Sequence, residues 1–204
     1  MTMRKLLTSA ACVALLALTA TAGYATNVLT NYDFETGGLA PWQALGTSGI
    51  ATVTVVTGDN GPSGAGTHCA YMNNHAEALG LTLKQTTVPG SAIGGLVTWS
   101  FDLKVGQAAN GGVFFAQIFA EKSGVGIVGG SGLLGNYVPA NWTTYSGSFT
   151  APAGTDFVTI QFMANTGAVT GSVSTMYVDN VRVEQEGIVP VETSTWGEVK
   201  GLFR

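Results

Sequence analysis

The residues with the most chemical promise are acids set where a strand should be apolar. From Met176 to Val183, β-branched and aromatic residues argue a strand, yet Asp179 and Asn180 interrupt it. Asn180 suits a bulge that shifts the alternation, and Asp179 can aim a carboxylate at a cation. Glu35, in Asn-Tyr-Asp-Phe-Glu, is an acid near the other end of the domain. First and last strands often pair in closed antiparallel domains, which makes the two acids candidates for one site. The competing reading has Glu35 capping a turn and Asp179 bonding backbone amides inside the bulge.

The remaining reactive groups speak against catalysis. His68 and His75 are the only histidines, and neither stands in a metal-ligand spacing or a recognisable nucleophile arrangement. Asp102 and Glu121 could in principle serve as a glycoside-cleaving pair, but the longer, more acidic and more aromatic cleft of such a domain is missing from the sequence. Cys69, in Thr-His-Cys-Ala-Tyr-Met, reads as a packed thiol. The Gly-rich run from Gly124 to Gly135 lacks the Gly-Lys-Ser/Thr and the following helix of a phosphate loop, so it reads as a flexible loop. The expectation is a protein that binds and is not an enzyme.

Patterning supplies the elements that position these groups. Arg4 and Lys5, the apolar stretch Leu6 to Leu18 and the small residues up to Ala25 identify residues 1–25 as a secretory signal peptide, with too short an apolar run for a membrane span. Its removal would leave Cys69 as the sole cysteine, with no internal disulfide. It would also leave six basic residues against twelve acidic ones, a balance of −6 in place of −4, which disfavours nucleic acid. Only 10% of residues are charged. Such a polar but nearly uncharged surface suits an extracellular β domain, secreted or held at the cell surface, and it suits neutral ligands. Short apolar-alternating runs between Gly, Asn, Pro and Ser clusters predict an all-β sandwich. The expected strands are Val28 to Phe34, Ile50 to Thr57, His68 to Asn73, Leu79 to Val88, Leu96 to Val105, Gly112 to Glu121, Thr143 to Thr150, Phe157 to Ala164 and Thr175 to Glu184.

Alternation then assigns faces. With Val97, Trp99 and Phe101 inward, Asp102 and Lys104 point outward. Gln117 must also point out, which brings Phe115, Phe119 and Glu121 with it. Gln161 and Tyr177 join them by the same counting. On this one sheet face Phe115, Gln117, Phe119, Gln161 and Tyr177 form a groove edged by Asp102 and Glu121. Aromatic faces stack on pyranose rings and amides bond hydroxyls, so a glycan is the expected ligand. The alternative buries Phe115 and Phe119 under the Gly124 to Gly135 loop, and a one-residue slip would turn the whole set into core. Trp42 reads as a core or rim residue, and Trp142 as a reserve candidate for stacking.

The stretch Asn31-Tyr32-Asp33-Phe34-Glu35-Thr36-Gly37-Gly38-Leu39-Ala40-Pro41-Trp42 resembles the opening of galactose-binding-like jelly-roll carbohydrate-binding modules, the type appended to bacterial cellulases and xylanases. Leu83 to Thr86, Val97 to Lys104, Trp142 to Thr150 and Tyr177 to Val181 match in the same order. The resemblance implies an all-β, two-sheet antiparallel jelly-roll β-sandwich over residues 26–186. It further implies a structural calcium held by Glu35 and Asp179, with Asp59 as a third ligand, and a polysaccharide lying on a sheet face. The rival is an extracellular surface or matrix protein with this fold and no sugar specificity. Residues 187–204 read as a linker followed by a short C-terminal helical tail, with Thr195 and Glu198 as a capping box and Trp196, Val199, Leu202 and Phe203 at helical spacing. That tail either docks on its own sandwich or engages a protein partner.

Overall fold

The computed structural model describes residues 26–135 and 140–185. The expected signal peptide and the linker with its helical tail lie outside the described residues. Within them the chain forms β1 (Thr26–Asn27), β2 (Gln43–Leu45), β3 (Ala51–Thr57), β4 (His68–Asn74), β5 (Gly80–Thr86), β6 (Gly95–Ala109), β7 (Val113–Lys122), β8 (Gly126–Gly135), β9 (Thr143–Ala151), β10 (Phe157–Asn165) and β11 (Val173–Gln185). Two antiparallel sheets result. The six-stranded sheet runs β3-β4-β11-β6-β9 with β1 against β11, and the five-stranded sheet runs β2-β5-β10-β7-β8.

Strict alternation builds the core between them. Val158, Ile160, Phe162 and Ala164 of β10 point in, as do Phe114, Ala116, Ile118 and Ala120 of β7. The facing sheet contributes Phe101, Leu103, Met176 and Val178. Phe101 meets Phe162 edge to face at 5.0 Å, and Trp42 closes one end by packing on Phe34 and Phe162. The ends of the domain do pair, Thr26 with Gln185 and Asn27 with Glu184. The bulge expected at Asn180 is also present: the β11 to β6 register shifts between Asp179 and Arg182, with Asn180 at φ 49°.

Three expectations are corrected. Residues 28–34 are not a strand: Asn31 and Phe34 take left-handed backbone, and the Asn31 amide bonds Gly38 O and Ala40 O, turning the chain so that Phe34 enters the core. Gly124 to Gly135 is not a loop, because most of it is β8, paired with β7. Glycine serves close approach there, since a Cβ at Gly130 would overlap the Ile118 carbonyl and one at Gly135 the Phe115 ring. Finally, β6 and β7 are consecutive but belong to opposite sheets. Asn110 and Gly111, at φ 49° and 88°, carry the chain across the sandwich instead of closing a hairpin.

Candidate functional site

The outer face of the five-stranded sheet collects most of the expected groove. Register places Gln43 of β2, Lys84 of β5, Gln161 of β10 and Gln117 of β7 in one row across four strands, continued by Leu133 of β8. Phe115 opposite Met163 flanks the row on one side, and Phe119 opposite Thr159 flanks it on the other. Phe115, Gln117, Phe119 and Gln161 are all half-buried. Glu121 stands at the end of this face opposite Phe157. Because β8 lies beside β7 within the sheet, it does not cover Phe115 and Phe119 as a loop would.

Asp102 and Tyr177 are not part of this groove. Both lie on the outer face of the six-stranded sheet, because β6 does not neighbour β7. Asp102 is fully buried under residues 58–66, where its carboxylate accepts from Ser63 N at 2.8 Å, Ser63 Oγ at 2.7 Å, Thr144 Oγ1 at 2.6 Å and Asn180 Nδ2 at 2.8 Å. Tyr177 stacks on Tyr71 at 4.6 Å, with the Lys104 ammonium 4.2 Å from its ring. The glycoside-cleaving pair that Asp102 and Glu121 could have formed is therefore divided between two sheets.

Glu35 and Asp179 are both held by residues 58–68, and the charge of Glu35 reaches Asp179. Asp179 is 2% exposed and accepts from Gly61 N and from its own neighbour Asn180 N, each at 2.7 Å. Glu35 accepts from Thr67 N and His68 N, both at 2.7 Å, and contacts His68 Nδ1 at 3.1 Å. Burial pushes the Asp179 carboxyl up to about 7 against the pull of its two amide donors, and the charges of Asp102 and Glu35 add to the rise. The His68 amide, followed by further hydrogen bonds, holds Glu35 below the ordinary carboxylate range. Asp59 turns away to Lys104 and to Trp142 Nε1, the latter at 2.7 Å; burial works to raise it, but these bonds hold it low. Cys69 is buried, and burial with the nearby acids pushes its thiol up to about 12, which makes it inert.

The acid cluster has the oxygen chemistry that calcium takes, although the carboxylates of Glu35, Asp179 and Asp102 already accept amide and hydroxyl hydrogens. Its oxygens are hard, and a buried carboxylate beside two others is a negative centre that a cation would neutralise. Among the described residues no three Asp, Glu, His or Cys side chains converge on a point, so carbonyls of the covering segment would have to complete the set. Asp59, committed to Lys104, is not placed to join it.

No family model matches the chain, and no curated protein matches its sequence. Solved structures do match. A module named TmCBM61, in complex with β-1,4-galactotriose, is 15% identical, with 78% of this chain and 97% of that one covered at a TM-score of 0.53. A xylan-binding domain from Paenibacillus barcinonensis is 16% identical, covering 81% and 96% at 0.52. This chain shares its two-sheet sandwich fold with these two structures. An enzymatically active domain of a bacteriophage CBA120 tailspike protein is also similar, at 17% identity and a TM-score of 0.59, and there the match covers 77% of this chain but only 21% of the other.

Two members of the row, Gln43 and Lys84, escaped the sequence reading. Lys84 was within reach of it, since Leu81 and Leu83 face the core and alternation then points Lys84 outward. Gln43 was not, because β2 has three residues and no period to read. The assembled face offers amides that both donate and accept, one ammonium and two phenyl rings, a set that can bond sugar hydroxyls and stack on a pyranose.

Proposed function

We propose that this protein is a non-catalytic carbohydrate-binding module whose five-stranded sheet holds a neutral or lightly charged polysaccharide chain. The observation that carries the reading is the Gln43, Lys84, Gln161 and Gln117 row, flanked by Phe115 and Phe119. A like-fold module solved with β-1,4-galactotriose, and a xylanase structure containing such a module solved with xylohexaose, support a glycan as the ligand class. Each amide can bond two hydroxyls in fixed orientation, and the rings add stacking without charge. In this reading Glu35 and Asp179 hold a structural calcium that fastens the covering segment, and the ion takes no part in sugar contact. Secretion to the cell exterior, and a protein partner for residues 187–204, complete the proposal.

Retention on a panel of soluble and insoluble glycans tests it. At least one glycan should retard the protein, and Phe115→Ala or Gln117→Ala should each weaken that retention about tenfold, the equivalent of one lost stacking or hydrogen-bonding contact. Retention by none, or retention unaffected by both substitutions, favours a structural or adhesive surface protein.

A further inference from the structure

On the opposite side of the sandwich, the outer face of the six-stranded sheet contains a recess of about 390 Å³. Its walls come from three neighbouring strands in register. Ser146 of β9, Ser100 of β6 and Arg182 of β11 form one row, and Ser148, Thr98 and Glu184 form the next. In these two rows β6 and β9 present short hydroxyl side chains, with Trp99 and Gly147 between them, while the longer Arg182 and Glu184 bound the depression on the β11 side.

We infer that this recess is a second ligand site, for one or two neutral sugar units. Hydroxyls donate and accept, a guanidinium only donates and a carboxylate only accepts, so the six side chains together match the vicinal diols of a pyranose. One Arg and one Glu cancel in charge, which favours a neutral ligand. Trp99 and Gly147, between the two rows, complete the lining, and recognition by the rows themselves rests on hydrogen bonds. The guanidinium is already positioned: it lies 5.2 Å from the Tyr32 ring centre, and its Nη1 is 3.5 Å from Glu184. Little side-chain entropy is then left to lose on binding. The volume falls at the small end of ligand sites, about the size that one or two sugar rings occupy. Two sites on opposite faces would let a single module bridge two glycan chains.

Amide chemical-shift mapping of the full chain tests this, with xylohexaose, β-1,4-galactotriose, xylose and galactose as probes. Amides of β6, β9 and β11 around the recess should shift separately from those of β5, β7 and β10. Ser148→Trp, at an exposed position on the edge strand β9, should fill the recess and abolish only the first set while leaving the melting temperature unchanged. Arg182→Gln should weaken that set about tenfold. No response at the recess to any of the four sugars, or a response that survives both substitutions, overturns the inference. A recess that responds while the five-stranded face stays silent would overturn the function proposed above and leave this site standing.

Discussion

At Asp179 two demands conflict: the bulge holds the carboxylate inside, and burial near Asp102 and Glu35 makes its charge costly. A carboxyl raised to about 7 in the folded state binds its proton more tightly folded than unfolded. Its contribution to stability is therefore full below the ordinary carboxylate pKa, near 4, and is lost as pH climbs through about 7. Glu35 and Asp59, held low, act in the reverse sense, and their contributions disappear only at more acidic pH. In chelator, the denaturation midpoint should fall between about pH 5 and pH 7 and then level off, and Asp179→Asn should remove that slope. Calcium should raise the melting temperature strongly near pH 8 and weakly near pH 5, because proton and ion compete for the same oxygens. No calcium effect at pH 8 would contradict the ion while leaving the pH slope intact. The anomaly behind this prediction was visible in the sequence, since an Asp-Asn pair has no place inside a β-branched run. So was the bond from the bulge amide Asn180 N, whereas its other donor, Gly61 N, was not, because Gly61 lies far from Asp179 in the chain.

Among the elements, the covering segment from Gly58 to Gly66 shows why glycine content misleads. A Cβ at Gly61 would overlap the Asp102 carboxylate, one at Gly64 the Asn180 amide, and one at Gly66 the Glu35 carboxylate. These glycines seat backbone against the acid cluster. Gly64→Ala should cost about 1–3 kcal/mol in chemical denaturation, whereas Gly38→Ala, with open space around it, should change stability by less than about 0.5 kcal/mol. The same confusion hid β8, whose glycines permit close pairing with β7 and looked like linker composition. Alternation was dependable where it had length to act on. It placed Phe115, Gln117, Phe119 and Gln161 outward and their neighbours inward, as observed. What it cannot say is which sheet a strand joins, and so Asp102 and Tyr177 were counted onto the wrong face. Only the crossing at Asn110 and Gly111 decides that, and those residues read equally well as a hairpin turn.

For the molecule as a whole, the sandwich divides its polar groups between two outer faces. The five-stranded face carries the amide row with its flanking rings, while the six-stranded face carries both the acid cluster under residues 58–66 and, farther along its strands, the hydroxyl recess. The paired ends and the two-sheet class were legible, because they follow from strand patterning and from acids near each terminus of the domain. The division of polar groups between faces was not, since it depends on long-range pairing. A crystal structure with a retained oligosaccharide tests the central claim most directly. The account predicts sugar rings lying over Gln161 and Gln117, with a ring stacked on Phe115 or Phe119. Sugar bound only at the loop ends, with the five-stranded face bare, would contradict it.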